Sequence, residues 1–435
     1  NMGKIDEEKL KHEIFAKVKE FYELKHKNRS FVPGKDLVNY AGRVFDEKEM
    51  IAAVDSILEF WLTLKGYDRN FTDEFSKYLE VKNSLLVNSG SSANLVAVSA
   101  LCSGQLKNKL KPGDEVITAA MTFSTTVNPI IQNGLIPVFV DTKIGTYNLD
   151  PEQLDAALSE RTRAIMIPHV LGIPCEMDVI LDFAQDHNLF VVEDACDALD
   201  SRYGGRQCGT LGDIGTYSFY AAHHIAMGEG GAIVTNSDEL YTIAKSLREW
   251  GRYSDYEEKF LNFGERIKHE IEGIKYDIRY LFVNIGYNLK PLDLQAAIGL
   301  EQLRKLPDFT EARKRNFSIL THELSKYPEL ILPMASKKAD PSWFALPITV
   351  NTDKFTRFDL VKFLEENKIQ TRYAFAGNIL KQPAYHNIKY RQVGNLKNSN
   401  RVLRDSFFVG LYPGIDKERI EYMLEQFHEF MTRYI

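Results

Sequence analysis

Cysteine is scarce in this chain, with four residues in 435: Cys102, Cys175, Cys196 and Cys208. None forms a close pair with metal-ligand spacing, so no metal site is expected. No secretory signal precedes them, and a reducing, cytoplasmic setting is expected. Long apolar runs are also missing. No stretch reaches the roughly 18 residues of a spanning helix, which predicts a soluble protein with no membrane partner. Positive charge is not in excess either: the net charge is −6 and 26% of residues are charged. That leaves no basic field for nucleic acid and no attraction to an anionic membrane surface. No internal repeat or low-complexity tract is present.

What the chain does have is length and alternation. Its 435 residues exceed one ordinary domain. Residues 4 to 25 mix Lys and Glu with Leu10, Ile14, Val18 and Phe21 at helical spacing, the pattern of an exposed amphipathic arm. Asp46 to Lys65 reads as a second helix with Asp46 as its N-cap. From the extended Ser84 to Asn88 onward, short apolar strands recur at Glu115–Thr118, Pro137–Val140, Ala164–Ile167 and Leu189–Val192. Helical stretches near 151 to 159 and 176 to 187 separate the last three. This alternation builds a mostly parallel sheet covered by helices, so the predicted class is α/β. The expected organisation is an arm with helices over 1–71, a large domain over 72–305 and a smaller α+β domain over 306–435. A charged insertion lies at about 253–276. A helix Leu292–Leu306 closes the large domain, and from residue 310 the small one carries a further helix, the strand Phe344–Val350, the helix Arg357–Asn367 and a last helix from Lys417.

Three segments carry chemistry. Asn88 to Asn94 (Asn-Ser-Gly-Ser-Ser-Ala-Asn) follows a strand and opens a helix, where backbone amides and hydroxyls converge on an anion; the other reading is a Ser/Gly turn that only caps the helix. Val191-Val192-Glu193-Asp194 ends a buried strand in carboxylates, which are costly there without a cationic partner. A protonated pyridine nitrogen is one such partner; a cap on the following segment is the plainer alternative. Ser218 precedes Phe219, Tyr220, His223, His224 and the flexible Gly228-Glu229-Gly230-Gly231. Its hydroxyl could join the anion seat.

Together these segments resemble the DegT/DnrJ/EryC1/StrS family of sugar aminotransferases. The resemblance runs from about residue 30 and rests on Asn88–Asn94, Glu193–Ala198, Gly209–Asp213, Ser218-Phe219, Gly228–Gly231, Gly286–Asn288 and Leu294–Gly299. It implies the fold-type I aspartate aminotransferase architecture and a pyridoxal or pyridoxamine phosphate cofactor (PMP/PLP). Gly90, Ser91 and Ser218 would hold the phosphate, Asp194 the pyridine nitrogen, and Phe123 would stack on the ring. Asp197 stands where the family often has a glutamine that contacts the ring hydroxyl. The family's lysine, which would hold the cofactor covalently, falls on His223, and no lysine lies between Arg206 and Lys245. Imidazole moves protons but cannot form that bond.

Histidine in this place marks the family's nucleotide-sugar 3-dehydratase branch, which serves 3,6-dideoxyhexose synthesis for surface polysaccharide such as O-antigen lipopolysaccharide. The resemblance therefore implies loss of the C3 hydroxyl from a CDP- or GDP-linked 4-keto-6-deoxyhexose, with His223 as general base. The arm, Ala222–Ile225 and Phe375–Asn378 are most similar to the CDP-sugar line, which holds a [2Fe–2S] cluster on four cysteines. Cys196 matches the first; Ser254, Tyr256 and Gly264 stand at the other three positions, so the cluster is not expected. Glutamate would then regenerate the amine cofactor, whereas a cluster would call for a reductase partner. Lys290 and Arg372 are candidate contacts to substrate phosphates or else solvated surface charges. A homodimer is implied by the fold type. The competing readings are an aminotransferase whose lysine has been replaced and a cofactor-binding protein without turnover.

Overall fold

The computed structural model describes residues 2–27, 30–253 and 262–434. The β-branched and aliphatic runs of the chain's first half pair as one eight-stranded sheet. Its strands are β1 (Asn83–Val87), β2 (Glu115–Ala119), β3 (Ile136–Val140), β4 (Thr162–Pro168), β5 (Phe190–Asp194), β6 (Ile214–Ser218), β7 (Gly231–Thr235) and, from far along the chain, β11 (Arg391–Gln392). Their order is β1-β7-β6-β5-β4-β2-β3-β11. All neighbours run parallel except at β7, which is antiparallel to both β1 and β6. Side chains alternate between the faces: Leu85 and Val87 join the core on one side and Leu86 joins the core on the other. Four of the eight strands are buried throughout, as expected for a parallel sheet covered on both faces.

The helices are α1 (Met2–Lys25), α2 (Glu47–Leu58), α3 (Tyr67–Leu79), α4 (Gly90–Leu101), α5 (Ser124–Gln132), α6 (Met177–Asp186), α7 (Asp238–Arg248), α8 (Asp293–Leu324), α9 (Arg357–Glu366), α10 (Lys397–Asp405) and α11 (Lys417–Tyr434). A second sheet, ordered β8-β9-β12-β10, is antiparallel throughout and comprises β8 (Leu330–Ile331), β9 (Ala345–Val350), β10 (Thr371–Tyr373) and β12 (Ser406–Gly410). Its core joins Leu346, Ile348, Phe407 and Val409 to Phe427 and Met431 of α11. Among the described residues no helix is long and apolar enough to cross a membrane.

Several elements depart from the sequence expectation. The helix foreseen over 46–65 starts as expected, with Asp46 accepting the Lys48 amide in a capping box, but ends at Leu58. Phe60 adopts a left-handed backbone (φ 49°) and its amide closes a tight turn on Ile57. Ile57, Leu58, Trp61 and Leu62 around this stop are exposed, so packing does not extend the helix. Residues 151–159 form only a 3₁₀ turn and one α turn. The helix foreseen over 292–306 runs on as α8 to Leu324 with Pro307 inside it, passing the point at which the sequence suggested a change of domain. Within the insertion, Ser254 and Tyr256 lie outside the described residues; Gly264 sits in a single helical turn, Phe263–Arg266, ahead of a short hairpin.

Candidate active site

The strand ends converge on one cavity. Asp194 ends β5, Ser218 ends β6, Pro168 ends β4, and α4 begins just after β1, which puts the site at the carboxyl edge of the sheet, where open α/β sheets bind ligands. The cavity has a volume of about 310 Å³ and is walled by both sheets' residues. Gly90, Ser91, Phe123, Asp194, Asp197, Ser218, His223 and Arg372 all line it. Lys290 does not; its ammonium stacks on the Trp250 ring at 3.6 Å. Among the described residues no lysine lines it.

The turn before α4 divides its labour. Ser89 is the N-cap, its hydroxyl accepting the Ser92 amide at 3.0 Å, and Ser92 donates to Asn88. Capping is thus done by Ser89, Ser92 and Asn88, which leaves Gly90 and Ser91 to face the cavity. The Ser91 hydroxyl reaches only Thr125 (3.1 Å), and the Ser218 hydroxyl accepts the Tyr220 amide at 3.3 Å, keeping its proton available. A Cβ on Gly90 would lie 2.5 Å from the Ser218 Cβ and 2.8 Å from the Cys196 sulfur. Only glycine lets the helix start sit this close to Ser218. The helix N-terminus and the two hydroxyls thus face one point of the cavity, an arrangement that suits an anion.

Asp194 is buried and fixed by three donors. Its Oδ2 accepts from Asn94 Nδ2 (2.8 Å) and Thr126 Oγ1 (2.6 Å), and Oδ1 accepts the Cys196 amide (3.1 Å). Thr216 donates to Asn94 Oδ1 (2.6 Å), which sets the direction of the amide. No ion pair to Asp194 is found among the described residues, so its charge is directed to whatever enters the cavity. Behind it, burial would raise the carboxyl of Glu193, but His169 and the amides of Gly209 and Gly212 hold it below the usual range. His169 receives the Cys175 amide at Nδ1 (3.0 Å), which leaves Nε2–H to donate to Glu193.

His223 projects into the cavity with Nε2 3.3 Å from Asp197 Oδ1, while its buried Nδ1 has no hydrogen-bond partner among the described residues. Asp197 Oδ2 accepts the Leu171 amide (3.3 Å). Thus both Asp197 oxygens are turned toward this chain's own donors. Arg372 donates to the Thr371 carbonyl and its guanidinium lies 4.1 Å from the Tyr40 ring centre. Asn94, Thr126 and Thr216 were not singled out by sequence. Asn94 had a signal: it stands one turn after Gly90 on the same helix face. Thr126 and Thr216 had none, because only folding brings α5 and β6 to Asp194.

The arrangement fits a phosphorylated pyridine. A helix N-terminus with the Ser91 and Ser218 hydroxyls, the buried Asp194 carboxyl, the Phe123 ring and the His223 imidazole line one cavity. Residues 45–428 match the family model of the DegT/DnrJ/EryC1/StrS aminotransferase family. The chain is 46% identical over 428 residues to a dTDP-4-dehydro-2,6-dideoxy-D-glucose 3-dehydratase of Saccharopolyspora spinosa, covering 97% of this chain and 92% of that protein. It is also 46% identical over 410 residues to the lipopolysaccharide biosynthesis protein RfbH of Salmonella typhimurium, covering 92% and 93%. Among solved structures, GDP-4-keto-6-deoxy-D-mannose-3-dehydratase of E. coli with bound hydrated PLP is similar, with a TM-score of 0.83 and 31% identity over 90% of this chain and 99% of that one.

Proposed function

Because the chain belongs to the DegT/DnrJ/EryC1/StrS aminotransferase family, we propose that it removes the C3 hydroxyl of a nucleotide-linked 4-keto-6-deoxyhexose as a PMP/PLP-dependent 3-dehydratase. The observation that carries this reading is His223 in a cavity that it shares with Asp194 and that no lysine among the described residues lines. When bound, pyridoxamine phosphate supplies an amine for the C4 ketone and a conjugated ring that accepts electrons.

The chain's own residues do the rest. The amides at the start of α4 and the hydroxyls of Ser91 and Ser218 would hold the phosphate. Asp194, held in place by its three donors, would hold a proton on the ring nitrogen. Phe123 would cover the ring. His223 Nε2 faces the cavity and would take one proton and return it to the departing C3 oxygen, with Asp197 Oδ1 at 3.3 Å to orient the ring. Arg372 would meet the substrate's phosphates, and the same role is open to Lys290 only from outside this cavity. Since Ser254, Tyr256 and Gly264 provide no thiolate, glutamate rather than a cluster with its reductase would restore the amine form. A homodimer in the cytoplasm, suited to four unpaired cysteines, completes the proposal.

The test is to incubate the protein with pyridoxamine phosphate, glutamate and CDP-, GDP- or dTDP-linked 4-keto-6-deoxyhexose, and to follow product mass. The expected product is a sugar nucleotide lighter by one oxygen, formed with 2-oxoglutarate. An amino sugar instead would establish the aminotransferase reading. Cofactor bound without turnover of any of the three would leave a binding protein and overturn the dehydratase.

A further inference from the structure

A cofactor held without a covalent bond depends on its walls, and one wall here is a chain of aromatic rings crossing from one sheet's domain to the other's. Phe123 meets Phe375 edge to face (ring centres 5.9 Å apart, 77°), Phe375 meets Phe408 (6.0 Å, 62°), Phe408 meets Phe344 (6.2 Å, 74°), and Phe344 packs on His223 (5.4 Å). All five residues line the cavity. At its outer end Phe123 is 53% exposed, and Phe375 is its aromatic partner among the described residues.

Phe375 reaches that position from a strained backbone. Its φ of +46° lies in the left-handed region, which bulky residues rarely occupy. Glycine would adopt that conformation without cost, so with phenylalanine there the strain serves only to aim the ring. The surroundings fix it. The Phe375 amide donates to the Tyr373 carbonyl (2.7 Å), the Ala376 amide to Thr122 (3.3 Å) and the Ile379 amide to Ala120 (3.0 Å). These last two bonds stitch the loop after β10 onto the residues immediately before Phe123.

We infer that Phe375 is a positioning residue for cofactor retention, which holds the Phe123 ring in place at the cavity and links it through Phe408 and Phe344 to His223. The inference rests on the reading above that the cavity takes a pyridoxal-type cofactor. Phe375 acts through Phe123, not by replacing it.

The test is equilibrium binding of pyridoxal phosphate to cofactor-free protein, read by absorbance and by the circular dichroism induced in the bound cofactor. Phe375→Gly keeps the left-handed backbone and removes the ring; Phe375→Leu keeps bulk without a ring and serves where the glycine variant folds poorly. Each is expected to weaken binding by up to about tenfold, the upper reach of an edge-to-face pair, and to reduce the induced signal. Phe375→Tyr is expected to restore both. Added to Phe123→Leu, Phe375→Gly is expected to cost nothing further, because the two residues act as one unit. Wild-type affinity in both ringless variants, or fully additive losses, would overturn the inference. A wild-type protein that binds no pyridoxal phosphate would instead overturn the proposed function.

Discussion

His223 and His224 are neighbours in sequence with different surroundings. His224 is turned into the interior, where its Nε2 donates to the Ser342 carbonyl; burial, with Arg313 nearby, pushes its imidazole well below the ordinary value. It is a structural residue. His223 faces the cavity and Asp197. The two could be told apart in the sequence only through the family motif, since nothing in their spacing or composition distinguishes them. Asp194, Gly90, Ser91 and Ser218 line the same cavity; their strand-end and helix-start positions marked the segments, and the family motif singled out the residues. Phe375 was legible only as part of a motif, because its left-handed backbone and its contact with Phe123 are tertiary facts. If His223 stands where a lysine could reach the cofactor, His223→Lys should form a covalent adduct with pyridoxal phosphate that borohydride makes permanent and mass spectrometry detects, and C3 dehydration should fall away. An unmodified mass after reduction would mean that this position does not reach the cofactor.

At the scale of elements, the start of α4 shows how local rules and a functional demand combine. Ser89 caps the helix as a serine in that position should, and Gly90 follows because the strand end at Ser218 leaves no room for a side chain. Gly90→Ala has two opposed effects. Alanine is the better helix former by up to about 1 kcal/mol, but overpacking a tight contact costs about 1–3 kcal/mol. With distances of 2.5 and 2.8 Å to the Ser218 Cβ and the Cys196 sulfur, the clash wins. The variant should melt at a lower temperature and bind pyridoxal phosphate at least tenfold more weakly, since the displaced Ser218 is one of the hydroxyls proposed to hold the phosphate. Unchanged calorimetric melting and affinity would show that this contact is looser than drawn. The strands read well from their apolar runs, but helix ends read poorly: the stop after Leu58 depends on missing packing, and α8 continues through Pro307 because the side chains beyond it, among them Phe309, Arg313 and Leu320, are buried.

At the scale of the whole molecule, the two sheets are joined by more than the shared cavity. β11 leaves the second half of the chain and pairs with β3 at the edge of the large sheet. There Arg391 forms two bonds to the buried Glu115 (2.9 and 2.7 Å), which Arg161 and Ser159 also contact. Burial would raise the Glu115 carboxyl, but these partners hold it below its usual value. Its contribution to stability is therefore complete above the ordinary glutamate range and is lost as pH falls through the depressed value. Arg391→Ala leaves that carboxylate with the more exposed Arg161; urea unfolding at neutral pH should show a loss of about 2 kcal/mol, and acid unfolding should begin at a higher pH. Coincident urea curves would mean that the clamp adds nothing. Sequence alone gave no sign of this strand, two residues long and embedded in a loop-rich stretch.

The same late strand bears on how the protein is made. A nascent chain that has emerged as far as α8 holds every strand of the large sheet except the one that covers β3. Until Arg391 leaves the ribosome, the β3 edge offers its unpaired backbone to any other extended segment, and Glu115 lacks its principal counter-charge. Synthesis thus passes through a long interval in which an almost finished sheet is open at one side, and it is there that a chaperone, or an aggregate, would first take hold.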